Sequence, residues 1–222
     1  MARGSGSVLA AIGLALLLSA PGASARAADT AAVPDAAAAI DDLRRWVLET
    51  GDNEGRAFVI VDKREGRVAA YDAGGGLIGS APALLGLALG DDSPPGIGDR
   101  ALADIGPSDR ITPAGRFVAQ LGENLSGNVV LWVDYDAAIS LHPVATGKRS
   151  ERRQARLDSP GGADNRISYG CINVPAPFYA SVIRPMFQDG EGVVYVLPET
   201  RSMDAEFFGR TTGPGTGAGN GM

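Results

Sequence analysis

The sequence predicts a mainly β fold of the sandwich or barrel type, with one or two short helices. Glycine (31) and proline (14) together make up about a fifth of the 222 residues, which favours a loop-rich fold over a helical bundle. Many short apolar segments are separated by turn residues, a spacing typical of such β architectures. Hydrophobic residues account for 45% and charged residues for 21%, so a chain disordered throughout is excluded.

The first 27 residues have the pattern of a secretory signal peptide. Arg3 gives a positive start, residues 8–20 form a mostly apolar run, and small residues follow at 23–27. The apolar run is too short for a comfortable transmembrane helix. We therefore expect residues 1–27 to direct export to the periplasm, with no stable membrane insertion after cleavage.

Residues 28–54 are predicted to form a leader followed by one helix. Over residues 35–49, Ile40, Leu43 and Val47 recur at helical spacing among charged residues. This pattern predicts an amphipathic helix before the first strand.

A β-rich domain is predicted over residues 55–200. The strand candidates are 57–63, 67–71, 84–89, 115–121, 128–133, 138–144 and 192–197. Residues 178–187 look helical with an interruption near Pro185, and residues 150–165 are polar and turn-rich. Residues 201–222 are predicted to be a flexible tail, because the glycine-rich end has too little apolar surface to pack.

Charge and cysteine content exclude several classes of function. The net charge of −6 argues against a nucleic-acid binder with a broad basic surface. One cysteine and one histidine cannot build an ordinary zinc site. We therefore expect no zinc site and no nucleic-acid partner. An unpaired cysteine in an exported protein is a reactive thiol or an intermolecular link, although lone cysteines are more often small buried hydrophobes.

Cys171 lies in a sequence suited to acyl transfer. Gly170 allows the backbone to turn sharply before the thiol. The prolines at 175 and 177 suit the start of a helix, whose N-terminus would stabilise a thiolate. Backbone N–H groups of Gly170 and Cys171 are candidates to bind an oxyanion.

His142 is the candidate base for this thiol. It lies in Ile139-Ser140-Leu141-His142, where strand alternation places Ile139 and Leu141 on one side and Ser140 and His142 on the other. His142 is therefore predicted to leave the core and face a site, where it would accept the thiol proton.

These residues resemble the L,D-transpeptidase catalytic domain family (YkuD type). Residues 168–173, Ser-Tyr-Gly-Cys-Ile-Asn, resemble the family motif Ser-His-Gly-Cys-x-Asn/Arg, and His142 matches its upstream histidine. Residues 110–117 resemble the segment Thr-Pro-x-Gly-x-Phe, and the strand at 57–63 resembles the opening of that domain. The resemblance covers about residues 55–198 and implies a β-sandwich or barrel-like catalytic domain.

The resemblance also implies a reaction. Cys171 would attack the carbonyl of the L-centre of the diamino acid in a peptidoglycan stem tetrapeptide, with His142 as base and later acid. The terminal D-alanine would leave, and an amine of a second stem would resolve the thioester. Peptidoglycan stem peptides would be the partners, with no metal or cofactor.

Some positions depart from the family pattern or have more than one interpretation. Tyr169 occupies the place of a second histidine and is a poor base near neutral pH, so we expect it to shape the site only. Ser168 and Asn173 are candidates for substrate binding or loop bracing, and Asn173 is equally suited to cap a helix before Pro175. Thr112 and the segment after it are interpreted as structural.

A 28-residue segment separates His142 from Cys171, longer than the family's usual connection. It carries a cluster of basic residues: Lys148, Arg149, Arg152, Arg153 and Arg156. The cluster would be a lid over an anionic peptide or a solvated loop, and the second interpretation is favoured because most charge runs are solvated.

Two alternative functions stay open at this point. With water as acceptor, the same Cys–His site would give an L,D-carboxypeptidase, or a hydrolase of peptidoglycan or protein–peptidoglycan links. A non-catalytic peptidoglycan-binding scaffold is the third possibility, and Tyr169 is its one source of support in the sequence.

Overall fold

The computed structural model describes Met1 and residues 36–145 and 147–209. The predicted signal peptide, the leader up to residue 35 and the tail from residue 210 lie outside the described residues. The strands are β1 (Phe58–Asp62), β2 (Arg67–Tyr71), β3 (Leu77–Pro82), β4 (Leu85–Gly86), β5 (Gly115–Glu123), β6 (Val129–Asp134), β7 (Ile139–Pro143), β8 (Arg166–Ser168), β9 (Ile172–Val174) and β10 (Gly192–Val196).

Three helical segments accompany the strands in the described part of the chain. They are α1 (Ala36–Thr50), α2 (Arg153–Leu157) and α3, a continuous segment made of Ala176–Phe178, a π-helical turn Tyr179–Ile183 and Arg184–Met186. Short single turns lie at Ile97–Asp99, Leu102–Asp104, Pro107–Asp109, Arg149–Glu151 and Asp204–Phe208.

Eight strands form one mixed sheet in the order β3-β2-β1-β10-β5-β6-β7-β9, and β4 pairs with β8 separately. The β1–β10 and β7–β9 pairs are parallel, whereas the remaining pairs of the large sheet are antiparallel. This architecture confirms the predicted mainly β, sandwich- or barrel-like class. It also places β7, which contains His142, beside β9, which begins directly after Cys171, at one edge of the sheet.

The two faces of the sheet bury different cores. The inner face packs strand residues such as Val59, Leu131 and Leu141 against Tyr179 and Ile183 of α3. In the order of the sheet, every strand from β1 across to β9 contributes residues to this one cluster, so the sheet curves around it. The second cluster lies on the opposite face, where α1 covers the central strands.

Helix α1 forms as its periodicity predicts. Leu43 and Val47 are fully buried, and they pack with Phe58, Tyr195 and Phe207 on the outer face of the sheet. The predicted helix therefore exists and contributes to the fold, ending one residue beyond its predicted end.

Several predicted elements differ from the structure. The predicted strand at 84–89 shrinks to Leu85–Gly86, because the rest of that apolar run is loop with Leu89 exposed. The helix predicted at 178–187 continues through Pro185, which lies in the first turn after the π-helical turn Tyr179–Ile183. The polar segment 150–165 contains α2, which buries Leu157.

Three strands were not predicted. β3 is an edge strand with Leu77 and Ile78 exposed, so it lacks the alternation that marks a half-buried strand. β8 and β9 have three residues each, too few for a periodic pattern.

Candidate active site

Two parallel strands bring His142 and Cys171 together. His142 of β7 is paired with Asn173 of β9, and Cys171 immediately precedes β9. Ile139 and Leu141 point into the core, as strand alternation predicts. The pairing of these two strands therefore brings His142 and Cys171, which are far apart in sequence, close together in space at the edge of the sheet.

The turn before Cys171 depends on Gly170. Its φ of +131° is unfavourable for residues with a side chain, and an added Cβ would lie 2.6 Å from Ile139 Cδ1 and 2.7 Å from the Ile111 carbonyl oxygen. The Thr112 hydroxyl donates to the Gly170 carbonyl at 2.7 Å. Gly170 therefore shapes the site through its backbone and its close packing.

Ser168 braces this turn from inside. Its hydroxyl donates to the Cys171 carbonyl at 2.6 Å and accepts from the Gly170 N–H at 3.1 Å. Ser168 is 3% exposed, and both hydrogen bonds hold the turn that contains Cys171, whereas a role in substrate binding stays a prediction. The Gly170 N–H, one of two groups expected to bind an oxyanion, is already occupied by this hydroxyl.

Cys171 is partly exposed, and its surroundings favour the thiolate. Its Sγ lies 3.7 Å from the Ser140 hydroxyl and 3.6 Å from the Ala138 carbonyl oxygen. Burial alone would raise the pKa of Cys171, but hydrogen bonding and charge from His142, with hydrogen bonds from Ser140, lower that pKa below its usual value. The thiolate is the form of cysteine that attacks as a nucleophile.

The same contacts act on His142 in the opposite direction. Burial would lower the pKa of His142, but its hydrogen bonding and charge interaction with Cys171 outweigh burial and raise that pKa. A lowered cysteine pKa and a raised histidine pKa both favour a thiolate beside an imidazolium.

The tautomer of His142 follows from its partners. Its Nδ1 is 2.8 Å from the Pro143 carbonyl oxygen, which can only accept, so Nδ1 carries a proton. In the neutral ring Nε2 is then the basic nitrogen, and the Asn173 amide donates to it from Nδ2 at 3.1 Å. Nε2 is therefore the ring nitrogen that can take up a proton.

Asn173 is fixed from its other end. Arg153 Nη1 donates to Asn173 Oδ1 at 2.8 Å, and Arg153 Nε donates to Glu151 Oε2 at 2.6 Å. Asn173 is 1% exposed and α3 has Pro175 rather than Asn173 at its N-cap. The helix-cap interpretation is therefore wrong, and the side chain of Asn173 braces the histidine. A role in substrate binding stays a prediction.

Tyr169 does not join this network of bonds. Its half-buried ring lies under the Arg110 guanidinium, whose Cζ is 3.8 Å from the ring centroid, a cation–π contact. Arg110 also donates to the Ile105 carbonyl from Nε and Nη2. Tyr169 thus helps to form the wall beside the cysteine turn.

The basic segment splits into two groups. Lys148, Arg149 and Arg152 are exposed, as a solvated loop predicts. Arg153 and Arg156 are half-buried and hydrogen-bonded, Arg156 to the Glu151 and Asp164 carbonyls. The solvated-loop interpretation is therefore wrong for these two arginines.

Sequence reasoning gave no site role to Thr112, Ser140 or Arg153. Thr112 was detectable only as part of a motif, and Ser140 only through its alternation with His142. Nothing in the sequence separates Arg153 from the neighbouring basic residues, because its partner Asn173 is 20 positions away.

The described residues contain neither a metal-binding cluster nor a membrane-spanning helix. Among residues 36–145 and 147–209, no group of three or more His, Cys, Asp or Glu side chains is arranged to hold a metal ion. None of the helices in these ranges has the length and apolar character required to cross a membrane.

The sequence matches no family model and no curated protein. The structure is similar in fold to the helical cell-shape-determining protein Pgp2 of Campylobacter jejuni (18% identity, TM-score 0.44, covering 71% of this chain and 55% of that one). It is similar to an L,D-transpeptidase from Mycobacterium tuberculosis (12% identity, TM-score 0.38, covering 64% and 57%).

It is also similar to the catalytic domain of an E. faecium L,D-transpeptidase (18% identity, TM-score 0.32, covering 64% of this chain and 98% of that domain). The chain spans about half the length of the longer structures that it matches.

Proposed function

We propose that this protein is a cysteine-dependent L,D-transpeptidase that acts on peptidoglycan stem peptides. The observation that carries the proposal is the pairing of the sole cysteine with the sole histidine, with the pKa of Cys171 lowered by that partner. The sequence motifs around both residues supply the substrate class.

The chemistry follows from the atoms present. Cys171 Sγ attacks the carbonyl carbon of the diamino acid in the donor stem, and a C–S bond forms as the oxygen gains charge. As the C–N bond to the terminal D-alanine breaks, His142 Nε2–H protonates the leaving amine. The product of this half-reaction is a thioester on Cys171 and free D-alanine.

The second half-reaction reverses the proton flow. His142 Nε2 takes a proton from the attacking amine of an acceptor stem, nitrogen bonds to the thioester carbon, and the C–S bond breaks. The Nδ1 bond to the Pro143 carbonyl keeps Nε2 as the active nitrogen throughout. The cross-link joins the third residues of two stems.

Cellular location is part of the same proposal. Residues 1–27 would be a cleaved signal peptide, residues 28–54 a leader with helix α1, residues 55–200 the catalytic domain and residues 201–222 a tail. The first part of that tail is not flexible as predicted, because Phe207 packs in the core on the outer face of the sheet. Peptidoglycan stems lie outside the cytoplasmic membrane, so the substrate class requires export to the periplasm.

Purified disaccharide-tetrapeptide fragments of peptidoglycan test the proposal. The protein and its Cys171→Ala variant are incubated with these fragments, and products are analysed by mass spectrometry. We expect cross-linked dimers that have lost one D-alanine with the first and none with the second. Tripeptides without dimers would replace the transferase with the carboxypeptidase, and unchanged fragments would overturn both in favour of the scaffold.

A further inference from the structure

The segment between His142 and Cys171 in the sequence contacts the candidate active site in the fold. Helix α2 lies within it, and Arg153, its first residue, extends to Asn173 on β9. The Arg153 side chain is 14% exposed, much less than expected for an arginine in a solvated loop. A buried guanidinium next to the catalytic pair needs a specific reason.

Arginine fits this position because of its geometry. One nitrogen donates to Glu151, whose carboxylate balances the charge, while another donates to Asn173 Oδ1. A guanidinium can only donate, so it forces the amide oxygen of Asn173 toward itself and the amide nitrogen toward His142. The orientation of Asn173, which would otherwise be free to flip, is thereby determined.

This arrangement bears on the proton at His142 Nε2. The Asn173 N–H donates to the lone pair of the neutral ring, an interaction that is lost when Nε2 is protonated. The charged groups that act on His142 from neighbouring elements are Cys171, before β9, and Arg153, on α2, with Glu151 paired to Arg153. The positive charge of Arg153 also opposes protonation of His142. It is a smaller effect, and the pKa of His142 stays raised overall because of Cys171.

We propose that Arg153 is a positioning residue that acts through Asn173 to hold His142 as a competent base and to extend the activity of the pair toward lower pH. The chain Glu151–Arg153–Asn173–His142 links the long segment to the reacting nitrogen. The inference deepens the proposed function and rests on it for the reaction, although its effect on the thiol is measurable without any peptidoglycan.

The first test measures the rate of thiol alkylation by iodoacetamide over a range of pH, with the product detected by mass spectrometry. Cys171 is the only cysteine, so the rate reports this site alone. Removing a nearby cation disfavours the deprotonated forms of the pair, so Arg153→Met should move the midpoint of the rate profile upward by roughly 0.5 to 1 pH unit. An unchanged midpoint in the folded variant overturns the inference and leaves the proposed function standing.

Matched variants separate position from general charge. Arg152→Met removes the same charge from the adjacent, exposed residue and should leave the profile unchanged. Arg153→Lys keeps the charge, so its midpoint should stay nearer to that of the original protein. If Arg152→Met shifts the midpoint as far as Arg153→Met does, the effect is a general field and the positioning role is refuted.

A double-variant cycle tests whether Arg153 acts through Asn173. Acylation by a carbapenem should slow roughly 10-fold or more in Arg153→Met, because the base is less well oriented. Adding Arg153→Met to Asn173→Leu should then cause little further slowing. Fully multiplicative losses would contradict action through Asn173, whereas acylation failing in the unaltered protein would count against the proposed function alone.

Discussion

At the scale of single residues, Cys171 and His142 change each other's proton affinity. Burial opposes a charge on either group, and their mutual interaction outweighs burial in both. The pairing was predictable from sequence because the chain offers one cysteine and one histidine. The orientation of His142 was not, because it depends on the Pro143 carbonyl and on the amide of Asn173.

Replacing His142 tests this coupling. In His142→Ala the interaction that lowers the pKa of Cys171 is lost while burial remains, so that pKa should rise. Since only the thiolate reacts, alkylation by iodoacetamide should begin at higher pH than in the original protein. The pH dependence of the rate measures this, and a profile that stays in place would show that His142 does not act on the thiol.

At the scale of elements, the cysteine turn is held by a segment far away in sequence. The Thr112 hydroxyl accepts from the Gly86 N–H at 2.9 Å and donates to the Gly170 carbonyl, and Thr112 is fully buried. One side chain thus ties the end of β4 to the turn before β9. The motif containing Thr112 was visible in the sequence, but its contact with Gly170 required the fold.

Thr112→Val removes that hydroxyl with little change in shape. It leaves a buried N–H and a buried carbonyl without their partner, which costs about 1–3 kcal/mol. We expect lower stability in urea unfolding and slower carbapenem acylation, since the turn is less firmly held. The exposed Thr50→Val is the control and should change neither. Unaltered stability and rate in Thr112→Val would show that the hydroxyl does not brace the turn.

Prediction of the elements themselves succeeded where the pattern was long. The central strands and α1 carry several apolar residues in register with their period, so they were identifiable without tertiary information. β8 and β9 are stabilised by pairing with distant segments, including the bonds between Asn173 and Leu84. Their existence depends on contacts that a local pattern does not contain.

At the scale of the whole molecule, a buried ionic network joins the sheet to the loops behind the site. Lys63, at the end of β1, has a fully buried ammonium group that donates to Asp91 at 2.7 Å and to the Gly90 and Thr112 carbonyls at 2.6 and 3.0 Å. Asp91 in turn accepts from the backbone and hydroxyl of Thr200. Neither Lys63 nor Asp91 stood out in the sequence as a buried charge.

Lys63→Met should destabilise the fold by about 3–5 kcal/mol, because it leaves buried carboxylate without its cation. Urea unfolding at neutral pH measures this, with the exposed Lys148→Met as a control expected to stay within about 0.5 kcal/mol. A loss below about 1 kcal/mol in Lys63→Met would contradict the role of the network.

The same variant should also change how the stability of the fold depends on pH in acid. Burial would raise the pKa of Asp91, but the bonds from Lys63, Thr200 and the Glu199 backbone outweigh burial and hold that pKa well below its usual range. The stability this provides is complete above the unfolded-state pKa and is lost as pH falls toward the folded-state value. Without Lys63 the folded-state pKa of Asp91 rises, so less of this stability is present at neutral pH and its loss should end at a higher pH. Unfolding curves measured over a series of pH values test this. A pH dependence of stability with the same shape as that of the original protein would contradict it.

The central claim is that Cys171 is a nucleophile served by His142, and the mass of the intact protein after exposure to a carbapenem tests it most directly. The original protein should gain one covalent adduct, Cys171→Ala should gain none, and His142→Ala should acquire it much more slowly. A folded protein with a reduced thiol that gains no adduct, or an adduct that persists in Cys171→Ala, would contradict the account.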